Sequence, residues 1–507
     1  MNKLLFTIGM LFISSVSLVA QEMMNGIVKD GSGKPLSGVK VSKVGEFKNN
    51  NVTDEDGLFS LLLKKGDYIE LNYADVATKR IKITGDTLNL VFDIKKDAVV
   101  DLGFLKRTED TQTQSVTAIY ADLLEKNATS PDRVNNALFG LISGLHLSQT
   151  VGWDANAGMN IRGRGGLGSG APLVLVDGFE RGLTNMTIEE IESVQVLKDG
   201  AATALMGARG ANGVILVNTK RGIYNSFDVD VNYRHGFDFP VNRPEMADAY
   251  TYASALNEAL TNDGKQVRYS QNELNAFKNG TSPYLYPNVN WWEEVFRDRG
   301  ASDIATLSFR GGSTKMRYYT MMNLQNNRGF IKNFDTNADY STQEKYSKAN
   351  FRTNLDIDLS PKTKMQANIM GILNEFSRPG MGSDNLISKL YQLPSAAFPI
   401  RTESGLWGGN TTWGENWNPV ALTEGRAYSK GHTRGLYADM SLRQDLSSLT
   451  KGLGASVRIG YDNLASYWEN HTKGYKYGMA SVASWENGLP IAGEEITGGK
   501  DTEMSGD

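Results

Sequence analysis

Four histidines, two adjacent glutamates, a glycine-spaced loop and a glycine-flanked serine are the residues here whose types could do chemistry. His146, His235, His432 and His471 stand far apart, without the short spacings that bring imidazoles onto one metal ion. Glu189-Glu190 could serve as a carboxylate pair, but it follows Thr187-Ile188 at a helix start, where negative charge complements the helix dipole. Gly163, Gly165 and Gly168 satisfy G-x-G-x-x-G, the spacing that cradles a dinucleotide pyrophosphate. Their context does not fit, since no buried strand leads in and Pro172 with an extended run follows where a helix should open. Glycines so placed permit tight backbone turns instead. Ser169 lacks the glycine two residues earlier that a nucleophile elbow requires. Asp54-Glu55-Asp56-Gly57 lacks the spaced ligands of a calcium loop and reads as a solvated turn. No cysteine is present, which excludes disulfides, thiolate chemistry and cysteine-bound metals. The reading is therefore no catalytic residue, no metal and no cofactor, and a chain that is not an enzyme.

The formal charge of −4 is spread over scattered acidic and basic residues, so nothing in the composition attracts nucleic acid. Residues 1–20 read as a signal peptide: Asn2-Lys3 give a short positive start, Leu4–Val19 an apolar core and Ala20 a small residue before Gln21. That core is shorter than the roughly 20 residues a spanning helix needs. No later stretch is apolar enough for a membrane helix, so an exported chain that lies in a membrane would cross it as a closed barrel.

The elements that must position any site fall into three parts. Residues 22–95 show short strand-like runs at 26–29, 39–44, 57–63, 68–73, 80–83 and 89–94, separated by turn clusters, and predict a small Ig-like β-sandwich. Residues 116–222 hold an amphipathic helix begun by Ser130-Pro131-Asp132-Arg133-Val134, with Val134, Leu138 and Leu141 on one face. They continue into a basic glycine-rich loop, an apolar run ending at Asp177-Gly178, strands at 193–197 and 213–219, and a small-residue helix at 201–206. Residues 226–507 alternate polar and apolar side chains at 227–233, 305–311, 316–324, 349–359, 365–373, 436–442 and 455–461, with an eighth strand less distinct. Each run approaches the roughly 10 residues of a transmembrane strand with an apolar outer and a polar inner face. A soluble sheet with one wet face gives the same alternation. Segments 238–300 and 374–434 read as long aromatic and glycine-rich loops.

The stretch Asn160–Gly222 closely resembles the plug domain of a TonB-dependent outer-membrane transporter of the SusC/RagA type. Val196-Leu197-Lys198-Asp199-Gly200-Ala201-Ala202-Thr203-Ala204-Leu205-Met206-Gly207, Asn212-Gly213-Val214-Ile215-Leu216 and Thr219-Lys220-Arg221-Gly222 carry the likeness most specifically. GIVKDGSGKPLSGVKV and VTDEDGLFSLLL resemble the carboxypeptidase-regulatory-like domain found at the N-terminus of such proteins. The resemblance implies a mainly β fold with an α+β plug: sandwich, TonB-box linker at 96–115, plug, and the first strands of an antiparallel barrel of about 22 strands. About seven or eight strands are legible, and the last residues carry no closing strand, so the expectation is the N-terminal part of a longer product.

The implied sites follow residue by residue. Ala98, Val99, Val100, Asp101, Leu102 and Gly103 stand where the family carries its TonB box, although Ala98 replaces a glutamate and Asp101 interrupts the valines. Plug loop and latch residues would be Arg162, Gly163, Arg164, Gly165, Asp177 and Arg181, with Arg162 and Arg164 reaching acidic groups on the barrel wall. Ile161, Val174, Val176, Val194, Val196, Ile215 and Val217 would form the plug core. Trp291, Trp292, Trp407, Trp413 and Trp417 are candidate ligand contacts, with a membrane-interface girdle or loop packing as the alternatives. Implied partners are TonB with ExbB/ExbD, a SusD-like surface lipoprotein, a glycan or peptide ligand, outer-membrane lipid and a second copy of the full-length complex. The implied place is the bacterial outer membrane, with plug and N-terminal domain facing the periplasm. The alternatives are a siderophore- or cobalamin-type receptor and a secreted or surface β-rich binding protein that transports nothing.

Overall fold

The computed structural model describes residues 22–506 apart from 45, 47–48, 74–76, 86–87, 94–98, 102–105, 109–114, 129–133, 149–157, 165–169, 241–242, 244, 333–339, 381–382 and 415–416. The first part is a two-sheet sandwich. Strands β1 (Glu22–Lys29), β4 (Leu58–Leu63) and β7 (Leu88–Val91) form one sheet in the order β4-β1-β7; β2 (Lys40–Lys43), β3 (Asn50–Val52), β5 (Tyr68–Tyr73) and β6 (Ala77–Lys82) form the other, in the order β3-β2-β5-β6. The alternation in β4 sets the packing: Phe59, Leu61 and Leu63 turn inward while Leu58 and Leu62 face out. They meet Val28, Val41, Ile69, Leu71 and Phe92 in one core. The acidic cluster is a turn device, since Asp54 accepts the backbone N–H of Asp56 at 3.1 Å and of Leu58 at 2.8 Å.

After a short hairpin of β8 (Val99–Asp101) and β9 (Lys106–Thr108) the chain enters the plug. Its main sheet runs β10 (Val116–Tyr120), β15 (Ile191–Leu197), β16 (Val214–Thr219), β13 (Leu173–Val176), β14 (Phe179–Glu180), with only β13 and β16 parallel. A second hairpin pairs β11 (Leu145–Ser148) with β12 (Gly158–Ile161). Helices α1 (Ala121–Asn127) and α2 (Val134–Ala137) cover the sheet, and α3 (Gly200–Thr203) is capped by Asp199, whose carboxylate accepts Ala202 N–H at 2.7 Å. Every residue expected in the plug core is buried except Val174, which packs half-buried against it. The start of the first plug helix, 129–133, lies outside the described residues; Val134 and Leu138 after it are buried as their spacing implied. At 187–190 the chain makes a single 3-10 turn.

The third part is one antiparallel sheet in the order β17 (Phe227–Asp238), β18 (Gly300–Gly312), β19 (Met316–Arg328), β20 (Lys345–Ser360), β21 (Thr363–Pro379), β23 (Tyr428–Asp445), β24 (Gly454–Thr472), β27 (Ser505–Gly506). All seven alternating runs of the sequence lie in its seven long strands. Side chains in register form stripes across it. Val231, Leu307, Met322 and Phe351 stand side by side and exposed, while the next stripe in, Thr306, Asn323 and Asn350, is buried. One end of the sheet has short turns at 313–315, 361–362 and 446–453, and the other has long connections. No helix among the described residues is long and apolar enough to cross a membrane, which says nothing of strands.

The long connections are folded. One holds α4 (Ala249–Asn262), α5 (Gln271–Asn279) and α6 (Trp291–Val295), and another holds α7 (Ser383–Gln392), β22 (Trp407–Gly408) and α8 (Pro419–Glu424). The last contains the hairpin of β25 (Lys476–Glu486) and β26 (Leu489–Gly499), which pairs with β22 and stands apart from the main sheet. Val289, Trp291, Leu386, Leu390, Phe398, Val420, Leu422 and Tyr475 bring all three connections into one core. Strands β21 and β23 also reach into the segment 374–434 that reads as loop, because polar residues there keep pairing beyond the apolar band: Glu375 opposite His432 and Ser377 opposite Lys430.

Leu61→Ala is expected to cost the sandwich about 2–5 kcal/mol, the usual loss for an emptied aliphatic site. Leu62→Ala next to it, on the exposed face, should stay within about 0.5 kcal/mol. Protease resistance of the sandwich across a urea series in the whole chain measures both.

Candidate functional site

Where the plug meets the inward face of the sheet, charges that would ordinarily sit in water are buried in pairs. The tight turn after β13 begins the arrangement. Asp177 and Gly178 both take positive φ, 50° and 90°, so the chain reverses at once into β14 and delivers Arg181 to the wall. Arg181 Nη1 donates to Asp439 on β23 at 2.6 Å, and its Nη2 and Nε donate to Asp462 on β24 at 2.7 and 3.1 Å. The guanidinium lies between the rings of Phe179 at 5.1 Å and Tyr437 at 5.5 Å. Asn185 donates to the Tyr437 hydroxyl at 3.0 Å.

A second group forms where β16 leaves the plug. Asp177 accepts the Thr219 hydroxyl at 2.6 Å and backbone N–H at 3.1 Å, and faces Arg221 at 3.7 Å. Arg221 is shared with the wall: Nη1 donates to Asn368 on β21 at 2.7 Å and to Asp356 on β20 at 3.2 Å. Arg317 on β19 holds the other oxygen of Asp356 at 2.9 Å. Burial alone would raise the Asp177 carboxyl; Arg221, then Arg352 and the Thr219 bonds, hold it below its ordinary value.

The third group is the most deeply buried. Glu190 accepts Arg352 Nε on one oxygen and Thr187 N–H at 2.6 Å on the other, and the side chains of Glu190 and Arg352 are 0% and 1% exposed. Inward residues of the same strand, β20, complete the seam: Lys348 donates to Met186 O at 2.9 Å, Asn350 to Asn185 O at 3.0 Å, and Asn354 to Lys220 O at 2.8 Å. Neighbouring Glu189 pairs with Arg234 at 3.2 Å, and burial pushes its carboxyl above the ordinary range. The seam is therefore a layer of hydrogen bonds and ion pairs, while the plug keeps its apolar core to itself.

Of the residues singled out for the latch, Asp177 and Arg181 sit in this seam. Arg162 does not: with Gly163 it makes a left-handed turn, φ 57° and 90°, and donates to Ser115 within the plug at 3.3 Å. Among the described residues no ion pair joins Arg162 or Arg164 to the wall, Arg164 lying against Gly170, and Gly165 is outside the described residues. Arg221, Arg352, Glu190 and Asp356 sit in it too and were not among the residues expected in the latch. For Arg352 and Asp356 the signal in the sequence is the polar half of the alternation, Lys348, Asn350, Arg352, Asn354 and Asp356 at every second position of β20.

The other candidates separate cleanly. In the segment 98–103, Val99–Asp101 form β8, whose backbone pairs with β9 on one side, and Ala98, Leu102 and Gly103 lie outside the described residues. The five tryptophans do come together, as packing. Trp291 is buried and donates its indole N–H to Pro394 O at 3.1 Å, which removes it from any ligand surface. Trp292, Trp407, Trp413 and Trp417 lie half-buried around the same core, Trp413 edge-on to Trp417 at 4.6 Å. His235, His432 and His471 each face one carboxylate, Asp303, Glu375 and Glu469, and no cluster of metal-ligating side chains occurs among the described residues.

Residues 108–214 match the family described as the TonB-dependent Receptor Plug Domain. The TonB-dependent receptor P26 of Formosa agariphila is 31% identical over 450 residues, covering 84% of this chain and 42% of that protein. The TonB-dependent receptor SusC of Bacteroides thetaiotaomicron is 28% identical over 348 residues, covering 65% of this chain and 32% of that protein. The chain thus spans less than half the length of these curated relatives. Among solved structures, the RagAB peptide transporter superposes with a TM-score of 0.55 at 20% identity, over 74% of this chain and 46% of that one, a likeness of fold.

Arg352→Met would leave Glu190 buried without its counter-charge and is expected to cost about 3–5 kcal/mol, read as the urea midpoint for protease cleavage of the plug in detergent. Arg209→Ala, which opens the exposed pair with Glu180, should cost less than about 1 kcal/mol. The sign with pH differs between two neighbours. Asp177, held below its unfolded value, contributes at neutral pH and loses that contribution as the pH falls below about 4. Glu189, held above its unfolded value, is stabilising when protonated, so Glu189→Gln should not lower the midpoint at neutral pH.

Proposed function

The chain belongs to the TonB-dependent receptors of SusC/RagA type, and on that premise we propose that it forms the gate and the first wall strands of an outer-membrane nutrient importer. The observation that carries the reading is the polar seam. A plug held to its wall by Arg181, Arg221, Glu190 and Arg352 can be withdrawn by exchanging those contacts for water, without opening its own apolar core. An apolar seam of the same area would have no such exchange, because its release exposes hydrocarbon that water does not compensate.

In this reading the exposed stripes of the sheet face lipid, the short turns face the periplasm together with the sandwich and plug, and the folded connections face outward. A glycan or peptide settles above the plug, delivered by a SusD-like surface lipoprotein acting as a lid. RagAB is a peptide transporter, and cargo of that class suits the half-buried indoles packed around the core of the long connections, Trp292, Trp407, Trp413 and Trp417, whose accessible edges are the candidate contacts. TonB, energised through ExbB/ExbD, captures the segment Ala98–Gly103. Strand β8 is paired with β9 on one side only among the described residues, so edge addition on the other side is geometrically direct. Pulling there draws on β10, which follows the box in the chain and is the outer strand of the plug sheet. No catalytic step is involved.

Replacing Val99 and Val100 with proline removes two backbone donors from the capture strand. Uptake of labelled cargo by cells is expected to fall to background while surface binding stays at the parental level. Parental uptake in that double variant would remove the box assignment.

A further inference from the structure

The N-terminal sandwich is placed against the link between plug and barrel, and that contact has its own chemistry. After Arg221 the chain crosses to β17 through Gly222, Ile223, Tyr224, Asn225 and Ser226. Gly222 is threaded so tightly over the paired ends of β18 and β19 that a β-carbon there would collide with the backbone of Tyr318 and Gly311. Tyr224 is buried, with the Arg317 guanidinium 5.1 Å from its ring centre on the barrel side and the Lys40 ammonium 4.8 Å away on the sandwich side. Lys40 pairs with Asp358 at the short-turn end of β20, and the same Asp358 oxygen accepts the Tyr224 hydroxyl at 3.4 Å. The side chains of Lys40 and Asp358 are 13% and 14% exposed, so the pair is largely withdrawn from water.

The backbone agrees with the side chains. Gly38, one turn before β2, holds φ at +74°, and a β-carbon built there would collide with Cγ2 of Ile223 and lie 3.3 Å from Tyr224 O. Glycine is required at this point both by the left-handed backbone and by the closeness of the linker. Tyr73, at the end of β5 on the same sheet, is half-buried within electrostatic reach of Arg310, Glu192 and Asp228, residues of β18, the plug and β17. Sandwich, plug and barrel meet here.

We propose that the sandwich is a clamp on the plug–barrel linker: Gly38 and Lys40 fix Ile223 and Tyr224 against Asp358, so the C-terminal end of the plug stays anchored while its N-terminal side is free to be drawn away. Among the described residues the contact includes one ion pair, one cation–ring contact and one glycine approach. The consequence for gating rests on the transport reading; the clamp itself does not.

The absence of cysteine makes the test direct. Ile223→Cys gives this chain a single thiol, half-buried where Gly38 packs against it while the clamp is closed. Its rate of modification by a small membrane-permeant maleimide is expected to be slow, to rise about tenfold with Lys40→Glu or Asp358→Lys added, and to return to the slow rate with both, since the reversed pair restores the attraction. Gly38→Ala should also give the fast rate. Fast labelling with Ile223→Cys alone, or a reversed pair that stays fast, overturns the clamp; restoration by the reversed pair excludes misfolding as the cause. The assay uses neither cargo nor TonB, so it stands or falls separately from uptake in the Val99 and Val100 proline variant.

Discussion

Withdrawing a charge from water is the costly act around which this molecule is built. Glu190 and Arg352 are removed from solvent almost completely, and each is bearable only because the other is there. Asp177, Arg221 and Asp356 extend the same dependence across three elements, a plug turn, the end of β16 and strand β20. Such pairs add little net stability over an apolar seam, yet they are intolerant of partial removal. They therefore select one seating of the plug over all nearby ones, since a shift of a few ångströms leaves several charges unpaired at once.

The wall supplies its half of the seam through the simplest rule of a strand. Alternation places Lys348, Asn350, Arg352, Asn354 and Asp356 on one face of β20 and Ala349, Phe351, Thr353 and Leu355 on the other. Because neighbouring strands are in register, each inward position becomes part of a stripe: Asp356 stands beside Arg317, and Asn368 beside Asp439. One pattern thus makes both the outer apolar surface and the inner socket, and a register slip of one residue would exchange them.

Periodicity made the strands legible and also set the limit of what was legible. The plug core and the seven wall strands follow from local apolar patterns, and each lies where those patterns put it. Strand β3 does not, because Asn50-Asn51-Val52 carries one apolar residue and is recruited by pairing with Lys40–Ser42. The helices of the long connections lie in segments that read as loop from the aromatic and glycine residues around them, and the β25–β26 hairpin follows a wall strand. The seam itself was half visible. Asp177 and Arg181 stand in the plug motif, whereas the wall partners of Arg181, Asp439 and Asp462, are more than 250 residues away and are marked only by their place in the polar half of the strand alternation. Arg162 of the basic glycine loop instead stays exposed and donates to Ser115, away from the wall.

The core that joins Val289 and Trp291 to Leu386, Leu390, Phe398, Val420 and Tyr475 draws on three connections that are distant in the chain. Segments that share a core fold and fail as one body. A nick or an insertion in any one of them loosens the other two, so this cap cannot be retuned one loop at a time. New specificity on such a scaffold would arise through exchange of the whole block, or through single changes confined to the indole edges that the shared core leaves uncovered.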